Sequence, residues 1–185
     1  MYRAATLKVM RQGIALDDEA AICEVVEGIR LEFEEADDHL RALMDGEDVT
    51  DAIRSPQVTR NIAPVCALRR VREVVGRKQR EMGRNGGIVM EGRDIGTVVF
   101  ARANVKIYLT ASIHERARRR QRELELKGIS LPLEQLEAEI AARDKSDQER
   151  DLAPLRLAPD AVVVDTTELS IEQQVERIVA LAKDK

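Results

Sequence analysis

The sequence predicts an α/β protein: a parallel sheet with helices on both faces, carrying a small antiparallel insertion and a helical lid. Three observations predict it. Short apolar, β-branched runs at Gly86–Phe100, Val105–Leu109 and Ala161–Asp165 are separated by helix-length stretches, the pattern of strands buried on both faces. Upstream, alternation over Ile29–Glu34 resumes over Leu40–Met44 and ends at Asp45-Gly46, a hairpin dipeptide. Between the last two strands lie two highly charged helices, one through Glu115–Arg122 and one from Pro132 to Arg150, broken at Gly128.

Taken in order, Ala4, Leu7 and Met10 recur at threes and predict a helix over Tyr2–Arg11 that begins without a cap and stops at Gly13. Asp17-Asp18 caps a second helix through Ile22 and Val26, ending at Gly28. The acidic run Glu34–Asp38 reads as a solvated loop between strands, since no spaced carbonyl or His ligands accompany it. Ser55-Pro56 is an N-cap followed by the first helical residue, and Pro64 is expected to start another helix reaching about Arg84. Leu68, Val71, Val75 and Met82 form its expected buried stripe. Arg72 borders that stripe, placed either to snorkel over the core edge or to serve a site. Ser112-Ile-His-Glu115 and Ser170-Ile-Glu-Gln173 are capping boxes, and the second opens a closing helix with the stripe Ile171, Val175, Ile178, Ala182.

Composition narrows the function. The 185 residues are 44% hydrophobic, enough for a core, and 35% charged with a net charge of −4, so no global attraction to nucleic acid is implied. Aromatic residues are 2%, which removes the stacking platforms of single-strand binders. Cys23 and Cys66 lack metal or disulfide spacing and read as two buried thiols. No apolar run is long enough to span a membrane, and the start lacks a signal peptide, so a cytoplasmic location is expected.

Chemistry gathers at two places. The run Gly86–Met90 is expected to break at Glu91-Gly92 and present Arg93 and Asp94 beyond a strand's carboxyl end, where ligands of open α/β sheets bind. A surface ion pair on a glycine turn is the plainer reading of the same residues. On the second charged helix Arg143, Asp147 and Arg150 follow i, i+4, i+7 and share a face. Arginine offers paired donors to phosphate oxygens, and an Asp between two arginines can accept from a hydroxyl. A solvated helix laced with ion pairs is the competing reading. Taken jointly, the clusters point to a phosphate-rich ligand.

In order and spacing, Met1-Tyr-Arg3, Gly46-Glu-Asp-Val-Thr50 with Ile53-Arg54, Val71-Arg72-Glu73, Glu91-Gly-Arg-Asp-Ile-Gly-Thr97 and Arg143-Asp-x-x-Asp147-x-x-Arg150 resemble bacterial cytidylate kinases over essentially the whole chain. The resemblance implies a P-loop nucleoside monophosphate kinase-like fold and, in the intact protein, transfer of a phosphoryl group from Mg-ATP to CMP or dCMP, giving CDP or dCDP; without the phosphate loop the activity of these 185 residues alone is left open. It implies domains at 1–27 (core helices), 28–63 (monophosphate-binding insertion), 64–115 (core), 116–157 (lid) and 158–185 (core strand and final helix). By it, Arg3, Arg93 and Arg150 grip the CMP phosphate, Arg72 and Asp94 contact cytosine, and Arg143 and Asp147 contact the sugar. Arg93 and Arg150, with the lid residues Arg116, Arg119 and Arg120, are expected to act in catalysis by stabilising the transferred group. Ala63 stands where the family tends to carry a serine near the base. Expected partners are CMP, dCMP and ATP, with no nucleic acid or membrane, and a monomeric state if the protein is intact.

The chain contains no Gly-x-x-x-x-Gly-Lys-Ser/Thr, which relatives carry upstream of the position matching Met1. The expectation is therefore an N-terminally truncated member whose first core strands are missing, leaving three core strands, and whose ATP-phosphate loop has no residues assigned. The alternative function is a non-catalytic nucleotide-binding remnant that keeps the CMP site. A weaker alternative is a helical RNA-associated protein using its basic lid.

Overall fold

The computed structural model describes residues 1–36 and 39–184, so Asp37 and Asp38 of the expected acidic loop lie outside the described residues. The chain divides into two compact units, Met1–Ile88 and the residues from Val89 onward.

The first unit opens with helix α1, Tyr2–Arg11, which buries Ala4, Ala5, Leu7 and Val9 and has no capping side chain. Asp18 caps α2, Glu19–Gly28, its carboxylate accepting from the Ala21 N–H at 3.0 Å. Strands β1, Leu31–Glu35, and β2, Leu40–Met44, pair antiparallel with Leu31 opposite Met44, and β3, Glu47–Asp48, adds a short third strand. Asp45 and Gly46 take φ of 54° and 86°, the left-handed pair that a two-residue hairpin needs. A 3₁₀ turn over Ala52–Arg54 leads to α3, Pro56–Ala67, capped by Ser55 as expected, and then to α4, Arg69–Met82. Ile22, Val26, Val58, Val65, Val71 and Val75 are fully buried in one core, each worth about 1.5–3 kcal/mol of transfer free energy.

Three expectations change here. Pro64 does not start a helix but sits in the last turns of α3. There it forfeits one main-chain bond, while the adjacent Val65 is fully buried. The break falls instead at Leu68, whose extended backbone (φ −69°, ψ 123°) redirects the chain so that Val71, Val74 and Val75 of α4 reach the core. Met82, at the end of the expected stripe, is exposed, and Cys66 is only half-buried while Cys23 is buried.

The hairpin is tied to α1 by ion pairs, Lys8 to Asp45 and Arg11 to Glu47, the latter at 2.7 Å. The hydrogen bond from Lys8, with help from the Arg30 N–H at 2.9 Å, holds the Asp45 carboxyl below its ordinary value. A depressed folded-state pKa contributes stability that is present above the unfolded value of 3.8 and is lost as pH falls through the folded one. Asp45→Asn keeps the left-handed preference and the acceptor for Arg30. It should therefore cost no more than about 1 kcal/mol at pH 7 and flatten the acid limb of a stability-versus-pH curve below about pH 4. Chemical denaturation across pH 2–7 checks this; parallel curves for the two proteins would refute it.

In the second unit only two strands occur among the described residues. These are β4, Ile107–Thr110, and β5, Val162–Asp165, parallel and in register from Ile107 opposite Val162 to Thr110 opposite Asp165. The run Gly86–Phe100 does not form the expected strand. Gly86 and Gly87 lie at φ of 70° and 63°, Val89 is 98% exposed, and Ile95–Val99 winds into a π-helical turn. A strand exists only where a neighbour takes its main-chain bonds. Here the Asp94 carbonyl instead collects the N–H groups of Val98 (2.9 Å) and Val99 (3.3 Å). Gly92 is required by that turn, since a Cβ there would lie 2.6 Å from Ile95 Cγ1.

Helices α5, Ile113–Glu125, and α6, Leu133–Glu149, form an antiparallel pair around buried Ala117, Leu124 and Leu136, with Gly128 at φ 72° in the turn. Ser112 caps α5, but only half of its box forms, because the Glu115 carboxylate turns to Arg119 at 3.0 Å. The box at Ser170 and Gln173 forms in full and opens α7, Ile171–Lys183. The apolar stripe of α7 is not buried: Ile171 is 74% and Val175 53% exposed. No helix is long and apolar enough to cross a membrane.

Candidate functional site

A cleft of about 310 Å³ opens in the second unit at the carboxyl ends of β4 and β5. Thr110 and Ala111 follow from β4, Thr166 from β5, Arg116 from α5, and Asp144 and Gln148 from α6; Arg93 and Leu155 complete the wall. This is the end of a parallel sheet at which ligands bind, and the cleft carries two arginines and one carboxylate.

Asp147 gathers the arginines. Its Oδ2 lies 3.0 Å from Arg93 Nε and 3.9 Å from Arg143 Nε, and its Oδ1 accepts from Arg150 Nη1 at 3.3 Å. The helical spacing accounts for Arg143. Arg150 follows because α6 ends at Glu149 and the extended Arg150 backbone turns its guanidinium back onto the Ala153 carbonyl, at 2.6 and 2.9 Å. The Asp147 side chain is 17% exposed, and its Oδ2, although close to Arg93 Nε, lies outside hydrogen-bonding geometry, so it retains acceptor capacity. The Asp94 side chain is buried at 6% exposure beside this group in sequence, and its main chain nucleates the π-helical turn.

The three lid arginines separate. Arg116 lines the cleft, its Nε donating to the Ala111 carbonyl at 3.1 Å and its Nη1 to Asp144 at 2.6 Å. Arg119 is a strut: it bonds the carbonyl and hydroxyl of Thr166, the latter at 3.1 Å, and so pins α5 to the end of β5. Arg120 pairs with Glu123 at 2.6 Å and, with Lys127, holds that carboxyl below its usual range. Neither Arg119 nor Arg120 lines the cleft. The residues that sequence reasoning missed are Asp144, Gln148, Thr110 and Thr166. Only Asp144 left a trace, as the neighbour of Arg143 in a motif.

Arg3 and Arg72 belong to the first unit. Arg3 Nη1 donates to the Ile53 carbonyl at 3.0 Å and to Thr59 Oγ1 at 2.9 Å. Arg72 Nη1 donates to the Cys66 carbonyl at 3.0 Å, and its guanidinium stacks over the Tyr2 ring at 5.5 Å, a placement that fixes a flat cation at the edge of the core. Among the described residues, no group of three or more His, Cys, Asp or Glu side chains could hold a metal ion.

The family model for cytidylate kinase matches residues 1–184. A cytidylate kinase of Bacillus cytotoxicus is 46% identical over 184 residues, covering 100% of this chain and 82% of the relative. Cytidylate kinases of Ligilactobacillus salivarius and Limosilactobacillus reuteri are each 45% identical, covering 100% and 99% of this chain and 83% and 81% of their own lengths. With cleft, arginine cluster and a family match over residues 1–184 together, the chain belongs to the cytidylate kinase family.

Proposed function

We propose that this protein transfers the γ-phosphoryl group of ATP to CMP or dCMP. The observation that carries the reading is the convergence of Arg93, Arg143 and Arg150 on Asp147, next to a cleft that Arg93 and Arg116 line at the carboxyl end of a parallel sheet. Phosphoryl transfer asks a protein chiefly for positioning and for charge against the transferred group. Arg93 and Arg150 supply paired donors for a phosphate dianion. Arg116 holds a guanidinium at the cleft wall, where charge develops on the transferred group. Asp147 accepts from a sugar hydroxyl, and Arg143 flanks it at 3.9 Å. Asp94 accepts from the cytosine amine.

Arg3 on the phosphate and Arg72 on the base rest on the resemblance, and each is open to single substitution. Arg119 and Arg120 receive no contact with the transferred group, since one braces the fold and the other pairs at the surface. No Gly-x-x-x-x-Gly-Lys-Ser/Thr run lies within the 185 residues, so no residue here is given the cradling of the ATP phosphates. ATP, magnesium and a cytoplasmic setting belong to this reading.

The test is direct: the native protein captured from its source cells, with ATP, magnesium and CMP, dCMP or UMP, and with CDP, dCDP and ADP quantified by chromatography. Formation of CDP with matching ADP, strongly preferred over UDP, is expected. CMP binding by calorimetry without any turnover would replace the kinase reading with a non-catalytic CMP-binding role.

A further inference from the structure

We propose that Asp144 is a positioning residue that aims Arg116 into the cleft. The proposal rests on the phosphate-binding reading of the cleft and extends it to a residue with no role so far. Arg116 leaves α5 in its first turn, far enough from its own backbone to adopt many rotamers, and among the described residues two hydrogen bonds fix it. Nε donates to the Ala111 carbonyl at 3.1 Å, and Nη1 donates to Asp144 Oδ2 at 2.6 Å. One anchor comes from the loop after β4 and the other from α6, so the guanidinium plane is held between two elements. Nη2 has no protein partner among the described residues, and Arg116 and Asp144 both line the cleft. A planar fork pinned along one edge offers its remaining donors to an incoming oxyanion in a fixed direction.

The arrangement makes a claim about sign. Asp144 is a negative charge in the wall of a cleft proposed to bind phosphate. If it were a bystander, removing it would strengthen anion binding, because a like charge would be gone. If it orients Arg116, removing it weakens binding, because the fork then loses one anchor and must be ordered by the ligand at an entropic cost. The two effects oppose, so the direction of the change decides between them.

The experiment is calorimetric titration of the full chain with inorganic tripolyphosphate, for wild type, Asp144→Ala, Arg116→Ala and the double variant. Asp144→Ala is expected to weaken binding roughly tenfold, and that loss should vanish when Arg116 is already alanine. Thermal melts establish that each variant is folded. Should Asp144→Ala fail to fold, Asp144→Glu carries the test: the charge is unchanged and the carboxylate is displaced by one methylene. Severalfold weaker binding is expected on positioning, and none on charge alone. Unchanged or tighter binding by the variant in use overturns the proposal. So does an equal loss in both backgrounds, or a wild-type chain that does not bind tripolyphosphate. A chain that shows the expected pattern yet forms no CDP overturns the kinase reading while leaving the positioning role in place.

Discussion

Asp147→Ala is expected to lower kcat/KM for CMP by roughly 100- to 1,000-fold, because the carboxylate both positions the arginines and accepts from the sugar. The physical reason is that three arginines share this carboxylate. Arg93 arrives from just before the π-helical turn at 3.0 Å, Arg150 from beyond the end of α6 at 3.3 Å, and Arg143 from one helical turn earlier at 3.9 Å. With the carboxylate gone, three guanidinium groups are left in mutual repulsion, and those meant to hold a phosphate lose the contact that fixes them. Arg93 and Arg143 are substantially exposed, so water screens much of this in the free protein. The stability cost is accordingly about 1–2 kcal/mol, smaller than for a fully buried pair. The catalytic effect should therefore far exceed the effect on melting temperature. Asp147→Asn, which keeps an oxygen acceptor, should recover part of the loss. Steady-state kinetics beside thermal melts check both; kcat/KM unchanged in a folded Asp147→Ala would take Asp147 out of the site.

What the sequence makes legible follows from how far each interaction reaches along the chain. Asp18, Ser55, Ser112 and Ser170 cap their helices because a cap is decided within four residues, and Asp45-Gly46 turns the hairpin because positive φ is a property of the dipeptide itself. Arg143 with Asp147 is legible for the same reason, as an i,i+4 pair. The strand expected in Gly86–Phe100 fails because apolar, β-branched content specifies a strand only given partners, and partners are not local. The exposed stripe of α7 repeats the point: its period is visible in sequence, but what covers it is not. At the site, Arg93 meets Asp147 across 54 positions and Arg116 meets Asp144 across 28, and no spacing rule reaches that far. The lid arginines could not be ordered by sequence, since adjacent residues on one helix differ only in direction. In the structure that difference separates a cleft residue, a strut and a surface pair.

Asp94→Ala is expected to collapse discrimination between CMP and UMP, lowering kcat/KM for CMP by about 100-fold while changing that for UMP by less than about threefold. Cytosine presents an amine where uracil presents a carbonyl. A carboxylate accepts from the amine and meets the carbonyl acceptor to acceptor, so it favours one base and rejects the other. Its burial, at 6% exposure, matters to the size of the effect, because a polar group away from water loses far more when mismatched than one in contact with it. The substitution also leaves the main chain of the turn in place. The π-helical turn is wound by the main-chain carbonyl of Asp94, which receives Val98, Val99 and the Thr97 hydroxyl, and alanine retains that carbonyl. Asp94→Asn sharpens the argument, since an amide can turn its NH₂ toward a uracil carbonyl. It should raise UMP use above that of Asp94→Ala while leaving CMP use impaired. Kinetics with both monophosphates measure the ratio. Equal losses for CMP and UMP would mean that Asp94 supports the turn without reading the base, and the choice of base would then have to be sought in residues other than Asp94.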